Sequence, residues 1–323
     1  MKRSRRSFFA ATVGFAVIGI VWVLIGMPSS MTAQPSYSDW APPHNLGAIV
    51  NSTANDAGPT LSKDRLSLYF GSNRSGSLGG NTDIWVSQRN SEEGDWGPPT
   101  NLGAVINSTA EDTSPNLSRD GHWLFFMSRR PGSQANAMGI VGFDIWVSYR
   151  EHVHDDFDWQ APVNVAAVNS PSFDQSPFFF ENEEAGIRQL FFTRTTPITG
   201  NDIFLSNQLP DGTFGPPTLV SELNSALSDA GSSIRFDGLE VFFFSRRAGG
   251  LGNSDLWTAT RDTVLGPWSV PIPLGAVVNS ADLDFDPFIA SDRETLYFAS
   301  TRSGGVGGQD LWVTTRTKAK HKS

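Results

Sequence analysis

The sequence predicts an all-β fold: a five-bladed β-propeller of four-stranded antiparallel blades, its ring closed by the N-terminal strand. Three observations predict it. First, the landmark Asn-Ser-x-x-x-Asp-x-x-Pro occurs five times, at Asn51, Asn107, Asn169, Asn224 and Asn279, with Ser232 in place of Pro in the fourth copy. The spacings are 56, 62, 55 and 55 residues, and so long a fixed period signals a stacked or radial array. Second, each repeat holds four short strand patterns separated by turn residues, and no stretch after residue 34 sustains a helical period. Third, the array is permuted. It begins with Trp40-Ala41-Pro42-Pro43, the pattern of a fourth strand, and ends with Asp310-Leu311-Trp312-Val313, the pattern of a third. In a ring these ends meet, whereas an open solenoid would need capping repeats.

The first repeat shows the elements in order. Gly58–Ser62 reads as a strand and Lys63-Asp64-Arg65 as a turn. Leu66–Ser72 is a second strand, followed by a Gly-rich loop through Gly80, then a third strand at Asp83–Ser87. Trp96-Gly97-Pro98-Pro99 opens a fourth strand ending near Leu102. Eight of the ten Trp recur at two repeat positions. Trp40, Trp96, Trp159 and Trp268 share one with Phe214, and Trp85, Trp146, Trp257 and Trp312 share the other with Phe204. Packing between blades is the expected role of both columns.

Residues 38–316 are assigned to the propeller and 317–323 to a basic tail. Residues 1–33 read as an export signal or membrane anchor. Lys2, Arg3, Arg5 and Arg6 precede an apolar run from Phe8 to Met27, and that run is long enough to span a bilayer if retained. Ser4-Arg5-Arg6-Ser7-Phe8-Phe9 resembles the twin-arginine export motif. A periplasmic or extracellular chain, tethered or free, is expected. Net charge is −9, and the chain beyond residue 33 carries −13. That argues against a nucleic-acid or anionic-membrane surface. With no Cys, thiolate chemistry and disulfides are excluded. No Gly-x-Ser-x-Gly is present to support a serine hydrolase.

Pro59-x-Leu61-Ser62-x-Asp64, then Leu68-Tyr69-Phe70-x-Ser72-x-Arg74, a Gly-rich loop and Asp83-Ile84-Trp85 resemble the WD-repeat-like (PD-type) propeller motif of the TolB family. Ser300 to Leu311 matches the variant of exported bacterial proteins almost fully. The resemblance spans the chain after about residue 38 and implies the propeller fold. It implies little about function, because such propellers serve many roles. TolB-like proteins also carry a second domain not seen in this sequence, so a TolB-type partnership is not implied.

In antiparallel blades the fourth-to-first and second-to-third connections share one face, here called the top. Asp56, Asp112, Asp174, Asp229 and Asp284 enter the innermost strands there. They are the candidate ligand-binding residues, as a carboxylate ring at the channel mouth or, alternatively, as caps of their own turns. No cofactor is required, though calcium suits such a ring and also suits Asp282-x-Asp284-x-Asp286 if that segment is extended. Arg74, Arg130, Arg194, Arg247 and Arg302 are expected to pair with Asp83, Asp144, Asp202, Asp255 and Asp310 across each Gly-rich hairpin. Two irregularities stand out. One is the long apolar top loop 131–143, placed to cover a ligand or pack on a neighbouring blade. The other is the bottom loop 151–158 with His152-x-His154 and acids, a metal-binding or a solvated loop.

No catalytic signature is legible. The primary expectation is therefore a non-catalytic, monomeric binding or scaffold module that meets an envelope protein or glycan through its top face. The alternative is a glycan-processing enzyme of the glycosidase kind, using Asp residues such as Asp56, Asp174 and Asp284 around the channel.

Overall fold

The computed structural model describes residues 36–319; the predicted export segment and most of the basic tail lie outside the described residues. Five four-stranded antiparallel sheets form five blades. Their inner strands are Asp56–Leu61, Asp112–Leu117, Asp174–Asn182, Asp229–Ile234 and Asp284–Ile289. The ring closes as expected: His44 pairs with Val313 and Asn45 with Trp312, so the N-terminal strand becomes the outer strand of blade five. The inner strands begin at the landmark Asp, two residues earlier than the sequence suggested for the first blade. The outer strands are only two residues long, which keeps the exposed sheet edges short.

The landmark residues do their work between blades. Asn51 donates to the Leu311 carbonyl and accepts from its amide, at 3.0 and 2.8 Å. Asn107, Asn169, Asn224 and Asn279 clamp Ile84, Ile145, Ile203 and Leu256 in the same way. Each clamp ties a blade to the third strand of the blade before it. The Pro of the landmark sits within a β-bulge in the inner strand, as the second of the two residues the ladder skips. Pro is tolerated at a bulge because its missing N–H would have no ladder partner there.

The core lies within and between the sheets, with Phe70, Phe126, Phe192, Phe243 and Phe298 fully buried. Burying each such side chain contributes roughly 1.5–3 kcal/mol. Trp85, Trp146, Trp257 and Trp312 are buried as expected.

Candidate functional site

The five ring aspartates are fully buried. Asp56 accepts from the Ser52 amide at 2.6 Å and the Ser52 hydroxyl at 2.9 Å through one oxygen. Its other oxygen takes Arg74 at 2.6 Å. The same pattern recurs with Ser108 and Arg130 at Asp112, Ser170 and Arg194 at Asp174, and Ser280 and Arg302 at Asp284. At Asp229 the Ser225 amide and Arg247 serve. Arg74 also reaches the Val50 carbonyl and lies over the Phe70 and Trp85 rings. Each Asp–Arg pair therefore knits the loop entering a blade to the hairpin leaving it.

This corrects the expected pairing of those arginines with Asp83 and its equivalents. Asp83 instead accepts from the Leu78 amide and from Asn101, and Asp310 from the amides of Val306 and Gly307. These carboxylates hold the Gly-rich loops by their backbone. The loops must be glycine-rich because they rest on the next blade's landmark loop. A Cβ on Gly307 would lie 2.2 Å from the Ala54 carbonyl oxygen, and one on Gly79 2.6 Å from that of Thr109. Blade three departs from the pattern. Arg194 stands opposite Asp174 in the ladder, where the other blades have Ser72, Ser128, Ser245 or Ser300. Burial raises the Asp174 carboxyl above its ordinary value, against the pull of Arg194.

The channel itself is lined by a different column. The residue two after each ring Asp is Gly58, Ser114, Ser176, Gly231 or Asp286, and all five have positive φ, between 45° and 63°. For the three non-glycine residues this left-handed backbone costs roughly 1–3 kcal/mol each. They surround a cavity of about 40 Å³ that none of the five ring aspartates lines. Such a volume holds a water or two and no more. Asp286 is the only carboxylate lining it. Protein surrounds Asp286 deep in the ring, yet water in the cavity still reaches part of it. Among the described residues it has no hydrogen-bond or ion-pair partner. Burial pushes its carboxyl up to about 7.

The bulge overturns the picture of Asp282, Asp284 and Asp286 on one face. It turns Asp286 into the channel while Asp284 stays locked by Ser280, Ser300 and Arg302. Asp282 is exposed at the rim. Among the described residues no group of three His, Asp or Glu is placed to hold a metal. Asp282 and Asp286 are both unique to blade five; the other copies have Ala54, Ala110, Ser172 or Leu227 at the first position and Gly or Ser at the second. Aligning the five copies column by column exposes both, whereas the shared landmark draws attention to the ring.

The two irregular loops also resolve. In the top loop, Phe143 packs edge-on against Phe173 of blade three, with Arg129 over both rings, while Met138 at the tip is 80% exposed. In the bottom loop, His152 pairs with Asp158 in solvent. Asp156 turns inward to Ser67, Tyr69, Gln88 and Arg150 at 2.5–2.9 Å. Burial pushes the Asp156 carboxyl up, but these hydrogen bonds outweigh it and hold it below the usual range.

No family model and no curated protein sequence matches the chain. Solved structures do. A GH62 hydrolase in complex with xylotriose superposes with a TM-score of 0.54 at 12% identity, covering 88% of this chain and 98% of that one. An α-L-arabinofuranosidase from Lactobacillus brevis gives 0.57 at 13% identity, covering 86% and 94%. An endo-arabinase from Bacteroides thetaiotaomicron gives 0.53 at 16%, covering 88% and 99%. At these identities the similarity shows a shared propeller fold.

It also corrects the expected kinship with TolB-like, WD-repeat-like (PD-type) propellers, since the structures named above are glycoside hydrolases or arabinan-cleaving enzymes by name. The physical reason is that the motif behind that resemblance is a local device. Here Arg–Asp pairing, carboxylate-capped loops and close-packed glycines hold each blade together, so the motif reports local packing. The expectation of a non-catalytic scaffold is corrected by the same matches, which are glycoside hydrolases by name.

Proposed function

We propose that the chain is an exported glycan-processing hydrolase working from the top of the propeller, with Asp286 as acid and Asp282 as base. Asp286 carries the reading. It is the one unpaired carboxylate in the channel, and it breaks the fivefold repeat. Glycoside hydrolysis needs one carboxyl group that still holds a proton near neutral pH and a second that activates water or attacks the sugar. Two carboxyls in unlike environments are the usual means. A carboxyl titrating near 7 is half protonated at neutrality and can protonate a leaving oxygen. Asp282 lies in the exposed turn just before the strand that carries Asp286, where water is at hand. Asp284 between them is occupied by protein donors and has no free oxygen to offer.

The five ring aspartates then act as positioning residues, contributing to ligand binding through the loops they fix. The 40 Å³ cavity admits water rather than a sugar ring, so the glycan would lie across the channel mouth and take the Asp286 proton through one water in the cavity. The similar GH62 hydrolase holds xylotriose, and other matches are an α-L-arabinofuranosidase, an endo-arabinase and a xylan β-1,4-xylosidase by name. Arabino- and xylo-oligosaccharides are therefore the first substrates to try. Export rests on the sequence of residues 1–33.

The test is reducing-end release by the full chain. Asp286→Asn and Asp282→Asn should each lower kcat by roughly 10²–10⁴-fold without loss of fold. The wild-type rate should fall above pH 7 as Asp286 loses its proton. Absence of hydrolysis across the panel, or an Asp286→Asn variant with full activity, refutes the reading.

A further inference from the structure

A second column of the repeat is broken on the opposite, bottom side of the ring. Four residues after the third-strand Trp or Phe stand Arg89, Arg150, Gln208, Arg261 and Arg316. In four blades this Arg lies over the Trp that opens the outer segment. The guanidinium-to-ring distances are 4.3 Å for Arg89 on Trp96, 4.5 Å for Arg150 on Trp159, 4.0 Å for Arg261 on Trp268 and 4.6 Å for Arg316 on Trp40. The same Arg donates to a carbonyl of its own blade's inner hairpin, at Arg65, Gly121, Gly238 or Arg293. Each clasp fills part of the crevice toward the preceding blade, and a smaller pocket of about 510 Å³ remains beside Arg89 and Trp96. In two crevices a buried carboxylate completes the closure, Asp156 on Arg150 and Glu240 on Arg316.

Blade three has neither partner. Gln208 replaces the Arg and turns to the Gly212 carbonyl, and Phe214 replaces the Trp. The crevice between blades two and three is left open as a cleft of about 940 Å³. That is the size of a small-ligand pocket, roughly 300–1,000 Å³. Its walls are aromatic: Phe125 and Phe214 meet edge-on at 6.1 Å. Trp123, 39% exposed, is backed by Tyr149 at 4.8 Å. Its rim is acidic. Asp120, Glu181, Glu183 and Asp211 face a single cation, Arg188, which lies 3.5 Å from Glu181. Burial lifts the Glu181 carboxyl above its ordinary value, and the charge of Asp120 adds to it. Asn182 and Gln208 supply amide groups.

We propose that this cleft binds an oligosaccharide bearing free amino groups. An exposed indole face stacks on a sugar ring and attracts an adjacent ammonium. The carboxylates pair with further ammonium groups and repel uronic acids. Side-chain amides and carboxylates accept from the hydroxyls. The cleft stands apart from the top face, so this site does not depend on the hydrolase reading.

The experiment is calorimetric titration of the full chain with a glucosamine oligomer, its N-acetylated counterpart, a galacturonate oligomer and a lysine pentapeptide. Binding of the glucosamine oligomer is expected, at least tenfold tighter than the other three. The double variant Gln208→Arg, Phe214→Trp restores the clasp that four sister blades already hold. It should keep or raise the melting temperature and weaken binding at least tenfold. Trp123→Ala should weaken binding as well and guards against misfolding of the double variant. Asp286→Asn should leave binding unchanged, which separates this site from the top face. No binding, equal binding of the lysine peptide, or wild-type affinity in Trp123→Ala would each overturn the proposal.

Discussion

Asp286→Asn should stabilise the protein at alkaline pH while removing the proposed hydrolase activity. The ordinary carboxyl value of 3.8 rises to about 7 for Asp286 in the fold, through burial. Between those pH values the folded chain holds a proton that the unfolded chain has released. Stability therefore falls as pH rises through this window, and the full loss is present above pH 7. Each tenfold change in proton affinity is worth about 1.4 kcal/mol, so the whole shift would correspond to about 4 kcal/mol. Water in the cavity reaches part of the carboxylate and screens it, which brings the expected effect nearer to ~2 kcal/mol. Asn has a similar shape and no charge to desolvate. The variant should match wild type near pH 4 and melt roughly 4–8 °C higher at pH 8. Differential scanning calorimetry at both pH values measures this. A variant that is no more stable than wild type at pH 8 would refute the view of Asp286 as an uncompensated buried acid.

Three further outcomes follow from the scaffold. Asp112→Ala should cost about 3–5 kcal/mol in urea unfolding, because it leaves Arg130 buried without its counter-charge. Asp156→Ala should destabilise by a similar amount through Arg150. Because the Asp156 carboxyl is held below its ordinary 3.8, its contribution is present above that pH and is lost as pH falls through the folded value. Wild type and variant should therefore converge in acid melts. Gly307→Ala forces a methyl against the Ala54 and Ser52 carbonyls of blade one. It should cost about 1–3 kcal/mol, read as a lowered melting temperature, while Gly215→Ala, whose Cβ would meet its nearest neighbour at 3.6 Å, should cost less.

Much of the fold was legible because its causes repeat. Asn51 and its four copies clamp neighbouring blades, the ring aspartates fix each turn, and the glycines seat each loop on the next blade. Each device had to be written five times. The site was less legible for the same reason. The landmark pointed to residues that every blade needs, whereas the proposed Asp282 and Asp286 entered the sequence reading only as part of a calcium candidate, and Gln208 is visible only as a departure from the repeat.

The sequence by itself determined the blade count, the strand order and the closure by the N-terminal strand, since period, alternation and permuted ends are local properties of the chain. It did not determine which partner each charge would take. Arg74 is nine residues from Asp83 and eighteen from Asp56, yet it pairs with Asp56, because the closed hairpin brings the inner strand's entry under the guanidinium. Nor could alternation reveal that a bulge turns Asp286 away from Asp284 and into the channel. The open cleft between blades two and three was likewise decided only in three dimensions. How far a crevice is filled depends on which side chains reach it in three dimensions, and where Gln208 and Phe214 stand in blade three, the Arg–Trp clasp that the other four blades hold is missing.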